Sequence, residues 1–300
     1  MVCSHQRRLA GAIASDGIVE MKDEVRAACV MGWPVTHSRS PLIHGTWIEL
    51  NGIAGVYRQE EVRPESFPAF LTNLAAHGYV GGNVTVPFKE VALTLTEPDE
   101  RASAIGAANT VWLEGNQLRA TNTDATGFID CLDHATPGWD TSPGSAVVIG
   151  AGGAARGIVF GILERGIDRI YVANRTQARA EALRHQYGAR IYPTQWHDIP
   201  RVLGEAGLLV NATSLGMVGQ TSLDLDLRLL PDYAVVADAV YAPLMTPLLR
   251  SAKQRGLRIA DGLGMLLYQA VPGFELWYGV RPEVTAELRA LVAHDLEIDL

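Results

Sequence analysis

The side chains able to do chemistry in this 300-residue chain gather at the ends of short apolar runs. Asn83-Val84-Thr85-Val86-Pro87-Phe88-Lys89-Glu90 carries an amide, a hydroxyl and a lysine out of one run. Gly106-Ala107-Ala108-Asn109-Thr110 and Thr121-Asn122-Thr123-Asp124 carry amides, hydroxyls and a carboxylate out of two more. Strand ends are where a sheet presents side chains to a cleft. Reducing a carbonyl needs a hydride on carbon and a proton on oxygen. A lysine–aspartate pair can supply and accept that proton while polarising the oxygen. Taken singly, each residue has a plainer reading: Lys89 as a surface lysine, Asn109 and Asn122 as turn formers, Asp124 as a helix cap.

A hydride donor would have its own signature. Ala146-Val147-Val148-Ile149 is an apolar run that enters Gly150-Ala151-Gly152-Gly153-Ala154-Ala155 and leaves as a helical pattern. In a pyrophosphate-binding turn the first Gly makes the bend, the second lets backbone N–H groups reach the phosphates, and the third small residue lets helix and strand pack closely. Gly150, Gly152 and Ala155 fill those places, with the helix N-terminus facing the anion. A plain strand-to-helix turn would look similar, so the next strand end matters. An NAD site expects an acid there to accept from the ribose 2′-hydroxyl. This chain has Asn174, Arg175 and Thr176, with Arg179 a turn later. Two guanidiniums suit a 2′-phosphate, which favours NADP over NAD.

The elements that must position these groups follow from pattern. Residues 27–35 read as a buried strand ending in a Gly/Pro loop, and a helix then runs to Leu50 with Ser40 as N-cap and Pro41 as first helical residue. Further strands are expected near 55–58 and 82–86, with helices over 66–76 and 89–95. Residues 109–113 and 117–121 form a hairpin turning at Glu114-Gly115-Asn116. Thr123-Asp124 opens a helix to about Asp133, and residues 136–144 are dense in turn formers. Strands at 146–149, 169–173, 208–211 and 234–237 alternate with helical stretches, which predicts a parallel sheet covered on both faces. From Met265 onward the chain reads as mainly helical.

Composition bounds the partners. Three hundred residues suffice for two domains, and 48% hydrophobic with 19% charged residues describes an ordinary globular protein. A net charge of −8 argues against a nucleic-acid partner. Cys3, Cys29 and Cys131 have no metal-like spacing and cannot all pair, which suits a reducing compartment. No stretch is long and apolar enough to span a membrane. The first 20 or so residues read as a polar tail, its apolar part from Leu9 to Ala14 too short for a signal peptide, and Met21 is a candidate natural start.

With these motifs in order, the chain resembles the shikimate dehydrogenase family from about Val30 to the C-terminus. The resemblance rests on His37-Ser38-Arg39-Ser40-Pro41, the Asn83–Lys89 block, Gly106–Thr110, Asn122-Thr123-Asp124, the glycine turn and Asn174-Arg175-Thr176. Asn211-Ala212-Thr213-Ser214, Asp238-Ala239-Val240-Tyr241 and the stretch from Asp261-Gly262 to Gln269 continue it. It implies NADP-dependent reduction of 3-dehydroshikimate to shikimate in chorismate biosynthesis, with no metal. It implies Lys89 and Asp124 as the catalytic pair, and Ser38 and Ser40 on the substrate carboxylate. Thr85, Asn109, Tyr241 and Gln269, with Asp124 and Lys89, would hold the ring substituents and the carboxylate. Gly150, Ala151, Gly152, Gly153, Ala154, Asn174, Arg175, Thr176 and Arg179 would hold the cofactor, and Ala239 and Gly262 would line its nicotinamide side.

The architecture expected is α/β and two-domain. A tail over 1–26 precedes a discontinuous substrate domain (27–123 and 263–300) and a Rossmann-type NADP domain (124–262), hinged about the cleft. The setting expected is cytoplasmic, as monomer or homodimer, without nucleic acid or membrane. Departures from the family pattern are small: Gly45 where many relatives have Asn, and Ala120 and Ala125 where Gly is usual. A relative preferring quinate, or using NAD as readily, is the nearest alternative. A non-catalytic NADPH-sensing module would be expected to lose the Lys89–Asp124 pair, and both stand in their motifs.

Overall fold

Alternating apolar runs and turn-forming clusters fold here into two separate six-stranded sheets. The structure, a computed structural model, describes residues 25–141 and 144–298. Cys3, Met21 and most of the expected tail lie outside the described residues, as do two of the turn formers before the second sheet and the last two residues of the expected substrate domain.

The first sheet contains β1 (Arg26–Gly32), β2 (Gly55–Glu61), β3 (Tyr79–Val84), β4 (Glu97–Pro98), β5 (Thr110–Glu114) and β6 (Gln117–Thr121). Their spatial order is β2-β1-β3-β5-β6-β4. Strand β1 is parallel to β2 and β3, while β5 runs antiparallel to both β3 and β6. Strands β3 and β6 therefore point the same way and end at one edge. The helices that follow them, α3 and α5 below, begin with Lys89 and Asp124.

The second sheet, β7 (Ser145–Ile149), β8 (Ile170–Ala173), β9 (Ile191–Thr194), β10 (Ala206–Asn211), β11 (Val235–Asp238) and β12 (Arg258–Ala260), is wholly parallel. Its order is β12-β11-β10-β7-β8-β9. The order reverses between β7 and β10, and at such a switch point the loops diverge and leave a crevice at the carboxyl ends of the strands. Alternate residues serve opposite faces: Val148, Val210 and Val235 bury in one apolar cluster, while Val147, Leu209 and Val236 bury in another. Burial on both sides is why these strands read as unbroken apolar runs.

The helices are α1 (Ser40–Leu50), α2 (Phe67–Thr72), α3 (Lys89–Leu95), α4 (Glu100–Ile105), α5 (Asp124–Ala135), α6 (Gly153–Glu164), α7 (Gln177–Tyr187), α8 (Ile199–Leu203), α9 (Pro247–Gln254), α10 (Gly262–Tyr278) and α11 (Ala286–Ile298). Helix α10 packs on α5 and returns the chain to the first sheet. There Phe274 and Trp277 join Trp47 and Tyr57 in that sheet's core.

Two local expectations need correction. Arg39, not Ser40, occupies the N-cap of α1, and Ser40 is its first residue. The Ser38 hydroxyl accepts from the Ser40 N–H at 3.3 Å, so that backbone donor is met from two residues upstream. The helix expected over 66–76 stops at Thr72. Asn73 turns its amide back onto the Ala69 carbonyl at 2.8 Å, a side-chain bond that competes with continuation of the helix.

Candidate active site

Lys89 and Asp124 meet. Lys89 Nζ donates to Asp124 Oδ2 at 2.5 Å, with the two side chains 14% and 6% exposed. The other carboxylate oxygen, Oδ1, accepts from Asn109 Nδ2 at 2.9 Å. Asn109 is itself held, since its Oδ1 accepts from the Thr123 backbone N–H at 2.7 Å. Its amide also lies 3.0 Å from Thr123 Oγ1 and 3.3 Å from Gln269 Oε1. Asn122 supports the start of α5 from below: its Oδ1 accepts from the Asp124 N–H at 3.0 Å and its Nδ2 donates to the Ala107 carbonyl at 2.9 Å. Both asparagines are turn formers by position and network members by contact.

These groups open onto a cavity of about 260 Å³ between the sheets. Ser38, Ser40, Thr85, Lys89, Asn109, Asp124, Tyr241 and Gln269, all expected from the sequence, line it together. Ala154, Ala239 and Gly262 from the second sheet's side line it too. Hydroxyls, amides and an ion pair thus share the cavity with the small apolar residues Ala154, Ala239 and Gly262. Tyr241 has its phenol pushed up by burial, with the Arg39 charge working the other way, so its hydroxyl stays protonated and can donate.

Sequence reasoning assigned no role to Asn83 and Thr123. Asn83 lines the cavity and accepts from the Tyr57 hydroxyl at 2.6 Å, while its Nδ2 donates to Thr110 Oγ1 at 3.2 Å. A chain of buried polar bonds, Tyr57–Asn83–Thr110–Asn109, therefore backs the edge that carries Lys89 and Asp124. The available signal was a single amide next to the end of β3 (Tyr79–Val84), a strand with no other side-chain amide or charge.

The Gly150–Ala154 turn lies beside this cavity, at the carboxyl end of β7. Gly150 has φ +117°, and a Cβ there would sit 2.7 Å from the Ala212 carbonyl oxygen; only glycine fits. Asn174 braces the turn, its Oδ1 accepting from the Ala151 N–H at 3.2 Å and its Nδ2 donating to the Thr176 carbonyl at 2.9 Å. Nothing stands within 4 Å above Gly152, the N-cap of α6, so its backbone face is open. The Lys89 stem runs 3.4 Å from where a Gly153 Cβ would be, which brings turn and lysine into contact. Arg175 and Arg179 are exposed, and neither side chain has a hydrogen bond or ion pair among the described residues. An open helix N-terminus flanked by two unpaired guanidiniums fits a pyrophosphate with an additional phosphate nearby.

Known proteins match both halves. The family model for the shikimate dehydrogenase substrate binding domain matches residues 30–111, and that for shikimate / quinate 5-dehydrogenase matches 135–218. The shikimate 5′-dehydrogenase C-terminal domain matches 262–291. The chain is 62% identical over 271 residues to the shikimate dehydrogenase (NADP(+)) of Rhodopseudomonas palustris strain TIE-1, covering 90% of this chain and 97% of that one. It is 61% identical over 273 residues to that of Nitrobacter hamburgensis, covering 91% and 95%. The fold matches shikimate 5-dehydrogenase from Thermus thermophilus in complex with NADP(H) and shikimate, with TM-score 0.79, 35% identity and coverage of 91% and 100%. It also matches quinate dehydrogenase from Corynebacterium glutamicum in complex with NAD, with TM-score 0.80, 28% identity and coverage of 92% and 99%. A lysine–aspartate pair at the first sheet's edge, a glycine turn at the second's and relatives alike over nine-tenths of the length agree: the chain belongs to the shikimate dehydrogenase family.

Proposed function

We propose that this chain catalyses the reversible NADPH-dependent reduction of 3-dehydroshikimate to shikimate, the reductive step toward chorismate and the aromatic amino acids. The observation that carries the reading is the Lys89–Asp124 contact of 2.5 Å, placed in a cavity whose far wall leads to the phosphate-binding turn. Bound NADPH supplies the hydride. In the direction of reduction, the Lys89 ammonium delivers a proton to the substrate oxygen as charge develops there, and Asp124 orients that ammonium. In oxidation the lysine takes the proton back.

The remaining cavity groups select the substrate. Ser38 and Ser40 offer hydroxyls to its carboxylate, and Thr85, Asn109, Tyr241 and Gln269 offer partners to its ring substituents and carboxylate. An analogue lacking one hydroxyl would leave such a group buried and unpaired, which is a strong basis for discrimination. Gly150, Ala151, Gly152, Gly153 and Ala154 hold the pyrophosphate, and Arg175 and Arg179 with Asn174 and Thr176 serve the 2′-phosphate side. Ala239 and Gly262 face the nicotinamide. Residues 27–123 and 263–300 act as the substrate domain and 124–262 as the NADP domain. The enzyme works in the cytoplasm as a monomer or homodimer without nucleic acid. The net charge of −8 and the free, buried Cys29 and Cys131 support that setting.

Purified protein given 3-dehydroshikimate and NADPH should form one shikimate, identified by chromatography, for each NADPH oxidised. NADPH oxidation without shikimate, or none at all, would contradict the assignment.

A further inference from the structure

Asp238 ends β11 and is buried, and it does not line the cavity. Its carboxylate is nonetheless fully engaged. Oδ1 accepts from Asn211 Nδ2 at 2.9 Å and from the Val240 N–H at 3.0 Å, and Oδ2 accepts from Thr246 Oγ1 at 2.7 Å. These partners belong to three different segments. Asn211 closes β10 and also holds Thr213, through Oγ1 at 2.7 Å and the backbone N–H at 3.1 Å. Thr246 is the N-cap of α9, accepting from the Leu249 N–H. Val240 lies between Ala239 and Tyr241, which do line the cavity.

We propose that Asp238 is a positioning residue for the reaction: from behind the cavity wall it fixes the strip carrying Ala239 and Tyr241 to the end of β10 and to the start of α9. The inference rests on the function proposed above, because it takes Ala239 and Tyr241 as the faces met by nicotinamide and substrate. Burial pushes the Asp238 carboxyl up to about 6, and its three donors work against that rise. A solvent-facing strip could be held by backbone bonds alone. An acid buried at this junction costs free energy unless every donor is in place, so the carboxylate enforces one arrangement of the strip.

The strip has little slack. Ala239 N–H donates to the Asn211 carbonyl at 2.8 Å. On its other side, a Cβ added at Gly262 would sit 2.6 Å from the Ala239 and Val240 carbonyl oxygens. Releasing the carboxylate removes the bonds that tie the Val240 backbone to the ends of β10 and α9, and leaves the strip to its Ala239 backbone bond and the Gly262 contact. An approach geometry lost by about 1 Å can cost about 100-fold in rate.

The test uses the full-length enzyme with Asp238→Ala and Asp238→Asn. The amide variant keeps the volume and two acceptor contacts while withdrawing the acceptor from Thr246, so it reports even where alanine unfolds the chain. Wild type and variants are compared in kcat and KM for shikimate. Affinities for NADP+ and for 2′-phospho-ADP-ribose, which lacks nicotinamide, are measured by calorimetry. Expected are falls in kcat of about tenfold for Asp238→Asn and about 100-fold for Asp238→Ala. NADP+ should lose affinity while 2′-phospho-ADP-ribose changes by less than about twofold, because its contacts lie at the other end of the cofactor. Wild-type kcat in the variants overturns the inference and leaves the proposed function standing. Equal loss of affinity for both ligands also overturns it, assigning Asp238 to overall folding. A wild-type protein inactive on shikimate defeats the proposed function, and the inference with it.

Discussion

Lys89 Nζ lies 2.5 Å from Asp124 Oδ2, although the two residues stand 35 apart in the chain. The contact follows from sheet direction. Strands β3 and β6 run parallel to one another across the antiparallel β5, so both end at one edge, and the residues that open α3 and α5 face each other there. Asn109 then occupies the second oxygen of Asp124, leaving the carboxylate one orientation.

Removing the lysine should remove the chemistry and spare the cofactor site. Lys89→Ala is expected to lower kcat by about 10²- to 10⁴-fold, the range for loss of a positioned acid–base group. NADP+ affinity, measured by titration calorimetry, should stay close to wild type. Parallel loss of both would mean that Lys89 holds the structure together.

The Arg175 and Arg179 side chains are exposed and unpaired among the described residues, so their charges are available to a phosphate. Arg175→Ala should weaken NADP+ by about 10- to 100-fold, the worth of one charge-assisted contact. NAD, which lacks the 2′-phosphate, should change little. Equal losses in the two KM values would refute the phosphate assignment.

Gly127 is where α5 touches α10. A Cβ there would lie 2.4 Å from the Gln269 Cβ and 2.5 Å from its backbone nitrogen. Gly127→Ala should therefore spread the helices and destabilise the chain by about 1–3 kcal/mol, seen as a lower denaturant midpoint. Because Gln269 lines the cavity, kcat/KM for shikimate should fall as well.

His44 is fully buried, stacked on Tyr57 with ring centroids 4.1 Å apart. Burial holds its pKa down at about 3, against 6.5 for an ordinary histidine. As pH falls from about 6.5 toward 3, the unfolded chain takes up a proton that the folded chain refuses, so stability drops. The contribution is fully present above about pH 6.5. Denaturant midpoints between pH 7 and 4 should decline more shallowly in His44→Phe, and identical slopes would show that His44 does not drive the decline.

Much of the site was legible in sequence because its chemistry sits in short contiguous blocks. Lys89, Asn109 and Asp124 follow strands whose apolar runs announce themselves, and the glycine turn follows the clearest run of all. What escaped depends on distant partners. Strands β4, β9 and β12 have two to four residues and lie at or near sheet edges, too short for a period-two pattern. Thr123 looked like a helix lead-in, yet its backbone fixes Asn109. Ser40 looked like a cap because serine before proline usually is one, and the competing Ser38 hydroxyl shows only in three dimensions. Asp238 belonged to a family motif, but its bonds to Asn211 and Thr246 cross from one loop to the next.

The most direct measurement is an initial-rate assay following nicotinamide absorbance, with shikimate and quinate each paired with NADP+ and NAD. The Lys89–Asp124 pair predicts turnover, the unpaired Arg175 predicts that NADP+ is preferred to NAD, and the proposed function predicts that shikimate is preferred to quinate. Comparable turnover of quinate or with NAD would move the chain to a broader-specificity member of the family. No turnover in any pairing, with NADPH still bound, would contradict the catalytic assignment altogether.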